Sequence, residues 1–438
     1  MRSSRPKVLH KILGKTLIER VADTVEQLKL DKIEVVVSAL DDGVRDILGS
    51  RVGYVVQSER LGTGHALMQA KDSFAGYKGG MLVLSGDSPL LTVGTLRNLI
   101  ERHTTSGASA TILTTCPADA MARGRILRDD EGSITRIVEE SDASDNQKGV
   151  AEINVGTYCF DAGSLFDALE SVSRDNDQNE YYLTDVIEVL AREGNKVESV
   201  QTDNPDETIG INSRMHLAEA TRLCRDRNLA RLMRDGVTIV DPDSCYVADD
   251  VKIGKDTAVY PGCWIEGKTV IGERCTIGPH SVIVDCTIGD GTSVVLSHCV
   301  GAVIGNDTRV GPFSRIRPET RVGDRDRIGN FVELKKTEVG ADTSVSHLTY
   351  LGDAVVGSHV NVGAGTITAN YDGVRKHKTV IEDGASIGSD TVLVAPVRVG
   401  KDAKTGAGAI VASGKDVAPG DVVVGVPARS MGKRKRKE

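Results

Sequence analysis

Between about Val251 and Val423 an aliphatic residue returns at every sixth position. Ile253, Val259, Ile265, Ile271, Ile277 and Ile283 form one series, and Ile304, Val310, Ile316, Val322, Ile328 and Leu334 form another. Ile387, Leu393, Val399, Thr405, Val411, Val417 and Val423 make a third, with Thr405 as its one lapse. Gly commonly follows the aliphatic residue, as in Ile253-Gly254, Ile271-Gly272 and Ile387-Gly388. A fixed hexapeptide period means short strands separated by tight turns and wound into a solenoid. Three hexapeptides make one triangular coil, with the aliphatic residues stacked inward and Gly or Asn at the corners. A β-sandwich is the plain alternative, but its strands are spaced more widely and less regularly.

Composition supports this reading. Aromatic residues are only 3% of the chain, Gly numbers 47, and the single Trp is Trp264; large rings do not fit the narrow interior of such a coil. At 438 residues the chain exceeds one ordinary core, so two domains are expected. A net charge of −8 argues against a nucleic-acid binder. The basic run Lys433-Arg434-Lys435-Arg436-Lys437 reads as a solvated tail. Eight cysteines are scattered without a CxxC pair, and four of them, Cys263, Cys275, Cys286 and Cys299, fall in the coil as small wall residues. No apolar run of about 18 residues and no signal-peptide core occur. The expectation is a cytoplasmic protein with reduced thiols and no membrane insertion.

Ahead of the coil, helix-like and strand-like pieces alternate from Val8 to about Gly210. Thr16–Leu28 has apolar residues at helical spacing, Ile33–Ser38 and Tyr54–Val56 are short β-branched or aromatic runs, and Gly64–Asp72 reads as helix. Met81–Leu84 is an apolar strand ending in Ser85-Gly86-Asp87. This alternation predicts a parallel sheet covered by helices, with ligands bound beyond the carboxyl ends of its strands. Asp87 therefore stands where a metal–phosphate ligand belongs, although an Asp after a strand is also an ordinary turn cap. Leu61-Gly62-Thr63-Gly64-His65-Ala66 is a glycine turn opening a helix, an arrangement that lets backbone N–H groups approach a nucleotide. Ser213 caps a helix that Asp235-Gly236 ends, with Arg222, Arg225, Arg227, Arg231 and Arg234 read as a solvated face. The expected organisation is an α/β domain over 1–212, a linker helix over 213–236, the coil over 237–426 and a basic tail over 427–438.

Three more motifs narrow the reading: Glu152-Ile153-Asn154-Val155-Gly156, Asn179-Glu180-Tyr181-Tyr182-Leu183-Thr184-Asp185, and Asn212 after Gly210-Ile211. With them the first domain resembles the sugar nucleotidyltransferase family. With the hexapeptide domain behind it, the chain from Met1 to about Val426 resembles the bacterial bifunctional N-acetylglucosamine-1-phosphate uridylyltransferase / glucosamine-1-phosphate acetyltransferase family. The resemblance implies a Rossmann-like α/β nucleotidyltransferase domain followed by a left-handed parallel β-helix that assembles as a homotrimer, with active sites in the grooves between coils. It implies that the first domain joins UTP and N-acetylglucosamine-1-phosphate, releasing pyrophosphate. That reaction asks the protein to align two anions and cancel their charge. Asp87 and Asn212 match the family's Mg²⁺ ligands, and Lys7, in Arg5-Pro6-Lys7-Val8, matches its phosphate-neutralising lysine. Gln57, Gly62 and Thr63 match uracil contacts; Gly124, Glu139, Asn154, Tyr182 and Thr184 match positions around the N-acetylglucosamine moiety.

The chain departs from the family at its beginning. Met1 aligns with the last Met of the family's Leu-Ala-Ala-Gly-x-Gly-Thr-Arg-Met signature, so the preceding strand, glycine loop and Arg are not in this sequence. Donors aimed at transferring phosphates supply several kcal/mol of transition-state stabilisation, and a strand lost from a sheet leaves an open edge. The expectation is a poor uridylyltransferase whose natural start lies further upstream, to be measured as pyrophosphate release and intact mass.

In the coil the resemblance implies acetyl transfer from acetyl-CoA to the 2-amine of glucosamine-1-phosphate. The amine must be unprotonated, and the carbonyl oxygen needs donors as the tetrahedral intermediate forms. His347, within His347-Leu348-Thr349-Tyr350-Leu351-Gly352-Asp353, matches the general base. Arg317 and Lys335 match anion ligands; Tyr350, Asn361 and Asn370 match sugar contacts, with Asn370 also expected to orient the base. Thr366–Thr379 is expected to leave the coil as a loop carrying Tyr371 and Lys376, which match contacts to substrate or acetyl-CoA. Ser389 and Ala407 match contacts to the thioester end of acetyl-CoA, with Ser389 the candidate oxyanion donor. Val424-Gly425-Val426-Pro427 lacks a basic residue that some relatives carry, a coenzyme-phosphate contact that Arg429 or the tail could replace. A nucleotidyltransferase with a merely oligomerising coil, and a trimeric scaffold, are the rival readings.

Overall fold

The computed structural model describes residues 1–40, 43–117 and 123–432; the basic run at 433–437 lies outside them. Contacts divide the chain into two units, Met1–Leu223 and Cys224–Glu438.

In the first unit, helix α1 (Leu17–Glu26) starts at a capping box: Thr16 Oγ1 accepts from Glu19 N, and the Glu19 carboxylate accepts from Thr16 N. Parallel strands β1 (Glu34–Ser38) and β2 (Gly53–Gln57) follow and pair with each other as a separate two-stranded sheet. After helix α2 (Thr63–Met68) come β3 (Gly80–Val83), helix α3 (Val93–Ser106), β4 (Ala110–Thr115), β5 (Arg125–Arg128), β6 (Ile134–Val138) and β7 (Ile153–Asp161). Helices α4 (Ala162–Leu169) and α5 (Asp185–Arg192) and strand β8 (Val197–Gln201) complete it. The main sheet runs β8-β4-β7-β5-β6, with β3 on β7.

This sheet is mixed, where the sequence predicts a parallel one. β8 and β4 are parallel, but β7 runs antiparallel to β3, β4 and β5, and β5 is antiparallel to β6. The reason lies in the connections. A parallel neighbour needs a crossover helix, whereas β5 and β6 are joined by a short turn at Asp129–Ser133 and form a hairpin. β7 is buried along almost its whole length, and its Tyr158 and Phe160 rings stack 5.4 Å apart in a core shared with Ile112, Leu165, Val186 and Leu190. An apolar cavity of about 790 Å³, lined among others by Val35, Val37, Leu82 and Leu84, separates β1 from β3.

Helix α6 (Arg214–Arg234) runs from the first unit into the second, with Ser213 Oγ accepting from His216 N at its start. Of the arginines expected to form a solvated face, Arg222, Arg231 and Arg234 are exposed, but Arg225 is not, and beyond Cys224 several polar side chains turn to the start of the coil. Arg225 is buried, donates to Asp243 O at 2.6 Å and lies over the Tyr246 ring; Arg231 donates to Asp249 O, and Asn228 to Val247 O. The carbonyls that begin the coil have no earlier rung to bond, and the helix supplies those donors.

The second unit is a left-handed parallel β-helix with three sheets, parallel except where Val422–Val424 meets Arg429–Ser430 at the end of one of them. The hexapeptide residues meet one coil apart: Ile253 pairs with Ile271, Ile265 with Ile283, Ile316 with Leu334 and Leu393 with Val411. They point inward and are almost wholly buried. Each buried aliphatic side chain contributes roughly 1.5–3 kcal/mol, and stacking places identical faces over one another. Between Ile283 and Ile304 the run continues through Ile288, Val294 and Cys299. A second buried column, two residues ahead of the aliphatic one, holds Thr257, Cys275, Thr292, Thr308, Asp326 and Thr343. Its hydroxyls bridge coils, as where Thr308 Oγ1 donates to Gly323 O and accepts from Asp326 N. Thr405, the lapse in the inward series, is satisfied in the same way: its hydroxyl accepts from Gly388 N at 2.9 Å and bonds Thr391 Oγ1 at 3.0 Å.

The excursion from the coil is shorter than the predicted Thr366–Thr379. Thr366 is a buried wall residue, Ile367–Ala369 pairs in register with Val392–Val394, and Thr379–Ile381 pairs with Ala354–Val356. Only Asn370–Lys378 leave the wall. Asp372 braces that loop, accepting from Val374 N and Arg375 N and bonding the His377 ring, which together hold its carboxyl well below the usual range.

Candidate active sites

In the first unit the residues predicted from sequence fall into three neighbouring groups. Lys7 follows Pro6 in a 3-10 turn, Asp87 follows β3, and Asn212 precedes α6. The Lys7 ammonium donates to the Asp87 carboxylate and, at 2.8 Å, to Asn212 Oδ1. Ile211 N donates to Asp87 O, tying the two segments together, and Ser85 Oγ donates to Asp87 Oδ1. One cation thus gathers a carboxylate and an amide oxygen at one point. That donor set suits Mg²⁺, a hard ion that takes one or two protein oxygens and completes its shell with phosphate and water.

The second group surrounds the start of α2. Gly62 has φ +105°, and a Cβ there would stand 2.6 Å from Tyr181 O, so only glycine lets the two segments approach. Gly64 N donates to Tyr181 O, Thr63 Oγ1 accepts from Leu183 N, and Gln57 Nε2 bonds Gly62 O and His65 Nδ1. The third group lies beside β7. Asn154 N donates to Gly124 O, Asn154 Nδ2 to Tyr158 OH, and Thr184 Oγ1 to Glu139 Oε1. A Cβ at Gly124 would touch Glu139 Oε2 and Asn154 Cβ, so these three residues share one wall. Burial pushes the Glu139 carboxyl up. Burial and the nearby Asp142 and Glu139 push the Tyr182 hydroxyl up. Burial and the neighbouring Glu188, Glu139 and Asp142 also raise Asp185 to about 6, a group the sequence did not single out.

On the coil, His347 ends the strand Ser344–His347 at a corner. Its Nδ1 lies 2.7 Å from Asn330 Oδ1, and the two residues are register partners on successive coils. Asn330 thus takes the orienting position that the sequence reading assigned to Asn370, whose side chain instead donates to Asp353. Being one coil apart explains why local motif reading missed it. Ser389 and Ala407 share the His347 corner: Asp390 N bonds Ala364 O, Gly408 N bonds Ser389 O, and a Cβ on Gly388 would meet Ala407 N at 2.6 Å.

From that corner one sheet face carries Tyr350, beside Glu333 and Ile367, and ends at Lys335, the partner of Gly352. Lys376, on the loop, stands against Lys335, and its ammonium holds the Lys335 pKa below the ordinary value. Arg317 joins them, donating to Glu333 at 2.9 Å. Glu333 pairs with Arg317 and Asp353 lies near Lys335, so three cations face two carboxylates and the cluster keeps a positive charge for an anion. Tyr371 lies at the loop's base, facing Lys376 across a bridge. Asn361 is not brought to this face; it lies on the adjoining sheet, over Ser344.

An α/β unit gathering Lys7, Asp87 and Asn212, joined to a hexapeptide coil with a held His beside a cationic cluster, defines a two-site transferase. Comparison with known proteins agrees. The Nucleotidyl transferase family matches residues 2–210, and the GMPPB C-terminal domain matches residues 247–325. The chain is 48% identical to the Bifunctional protein GlmU of Geobacillus sp. over 94% of its length and 90% of that relative. It is 47% identical to that of Geobacillus thermodenitrificans over 99% and 94%, and 46% identical to that of Enterococcus faecalis over 91% and 87%. The chain belongs to the bifunctional GlmU family.

Proposed function

We propose that the chain makes UDP-N-acetylglucosamine in two steps. The coil moves an acetyl group from acetyl-CoA to glucosamine-1-phosphate, and the first unit then moves a uridylyl group from UTP to the N-acetylglucosamine-1-phosphate formed. One observation carries the reading: a single chain holds two separate clusters, each with the groups its reaction needs. In the coil, Asn330 Oδ1 accepts from Nδ1–H of His347, which leaves Nε2 as the proton acceptor. The neutral 2-amine attacks the thioester carbonyl, His347 Nε2 takes the proton that the nitrogen sheds, and collapse of the tetrahedral intermediate breaks the C–S bond, with that proton passing to the coenzyme thiolate as it leaves. Arg317, Lys335 and Lys376 hold the sugar phosphate, with Tyr350, Asn361, Asn370 and Tyr371 around the sugar and the coenzyme. Ser389 and Ala407 line the thioester end, Ser389 as donor to the carbonyl oxygen.

In the first unit the sugar phosphate attacks the α-phosphorus and pyrophosphate leaves. Asp87 and Asn212 would hold Mg²⁺, which would supply charge neutralisation at the phosphates. Lys7 adds a second positive charge. Gln57, Gly62 and Thr63 bound the uracil; Gly124, Glu139, Asn154, Tyr182 and Thr184 bound the acetylated sugar. The working form is a homotrimer. What supports it is Asn361 lying on a different face from Tyr350, together with a corner row of Phe313 (54% exposed), Phe331 (55%) and Leu348 (62%) beside His347. Among the described residues no helix is long and apolar enough to cross a membrane.

Paired variants test the reading. His347→Ala should abolish acetyl transfer and leave pyrophosphate release at its parental rate; Asp87→Asn should do the reverse. Acetyl transfer that persists in His347→Ala would remove His347 as the base, and a parent chain that transfers no acetyl group would return the coil to a purely oligomerising role.

A further inference from the structure

The first unit holds another cation beside Asp87 that none of the motifs singled out. Arg123 is half-buried at the head of β5, and its Nη2 donates to Thr208 O at 2.8 Å. Its backbone carbonyl is held by the Arg125 guanidinium, which is buried and paired with Glu140. Gly210 shows what the side chain faces. A Cβ built there would lie 3.7 Å from Arg123 Nη2, 3.8 Å from Asn212 Nδ2 and 4.0 Å from Asp87 Oδ1. Guanidinium, amide and carboxylate therefore ring one point. Among the described residues no carboxylate stands within ion-pair distance of Arg123. Burial pushes its pKa down, with the Asp87 charge opposing the shift. A guanidinium withdrawn from water without an ion-pair partner is costly unless an anion arrives to meet it. Its fork, pinned on one side by Thr208 O, is ready for a planar pair of phosphate oxygens.

Position selects which anion. Arg123 is followed directly by Gly124, whose carbonyl and Cα border Asn154 and Glu139 in the group around the acetylated sugar. On its other side stand Asp87 and Asn212. We propose that Arg123 binds the phosphate of the attacking N-acetylglucosamine-1-phosphate, holding the nucleophile between the sugar wall and the Asp87–Asn212 pair. The inference rests on placing uridylyl transfer at Asp87 and Asn212.

Calorimetric titration of the full chain with N-acetylglucosamine-1-phosphate and with UTP, both with Mg²⁺, tests it in the parent, Arg123→Gln, Arg123→Lys and Asp87→Asn. Arg123→Gln should bind the sugar phosphate roughly 10- to 100-fold more weakly, with UTP affinity within about 2-fold of the parent, and Arg123→Lys should recover part of the loss. Unchanged sugar-phosphate affinity in Arg123→Gln overturns the inference. Equal losses for both ligands overturn it too, since a guanidinium that merely braces Thr208 would disturb both. Asp87→Asn that binds UTP like the parent would remove the site placement, and the inference with it.

Discussion

Asp326 sits among Thr and Cys in the buried column that runs from Thr257 to Thr343, and its exchange for Thr tests how the wall is built. Asp326 is fully buried; its carboxylate accepts from Gly323 N at 2.9 Å and Thr343 N at 2.7 Å. Burial outweighs those two donors and raises its pKa from 3.8 to about 6. The folded chain therefore holds this proton more tightly than the unfolded one. Its stabilising contribution is complete below about pH 4, declines as pH rises toward 6, and is gone above that. A difference of about two pKa units corresponds to roughly 3 kcal/mol. In Asp326→Thr the hydroxyl can still accept from Thr343 N and can donate one coil onward, as Thr308 does to Gly323 O. The lost acceptor for Gly323 N costs about 1 kcal/mol. The variant should be more stable than the parent by about 2 kcal/mol near pH 7.5 and less stable by about 1 kcal/mol near pH 4. Trp264, the only Trp, stacks on Tyr246 at 4.8 Å within the coil, so urea unfolding followed by its fluorescence reads the unit concerned. Comparing variant with parent at each pH cancels the other titrating groups. A difference constant from pH 4 to 7.5 would refute the reasoning, because a buried carboxyl with a raised pKa must show itself there.

Three further outcomes are expected. Asn330→Ala should lower kcat for acetyl transfer by about 10- to 100-fold with little change in the KM for acetyl-CoA, because the His347 ring loses its tautomer and orientation. Gly62→Ala, with φ +105° and its Cβ driven onto Tyr181 O, should weaken UTP binding at least about 10-fold while acetyl transfer continues; equal UTP affinity by calorimetry would contradict it. Thr405→Val restores the aliphatic series yet removes the acceptor of Gly388 N, so it should lower coil stability by about 1–2 kcal/mol, read again through Trp264.

That last case shows where a repeat is legible in sequence and where it is not. The hexapeptide period gave the coil because burial of one residue in six is a local pattern, and local patterns survive without a third dimension. It failed between Ile283 and Ile304 because coil lengths vary: Ile253 meets Ile271 eighteen residues on, but Ile271 meets Ile288 seventeen on. A strict count of six cannot follow a corner that drops a residue. Thr405 looks like a flaw in sequence and is a hydrogen-bonding link in the structure. In the α/β unit the motifs around Asp87, Gly62 and Asn154 were legible because each is a short run with its own chemistry. The strand directions were not, since helix–strand alternation is silent about a hairpin such as β5–β6. The two missed residues divide along the same line. Asn330 could have been found by stepping back one coil from His347, since the solenoid turns a sequence offset into a spatial neighbour. Arg123 could not: its meaning comes from Thr208, Gly210 and Asp87, segments that only the folded sheet brings beside it.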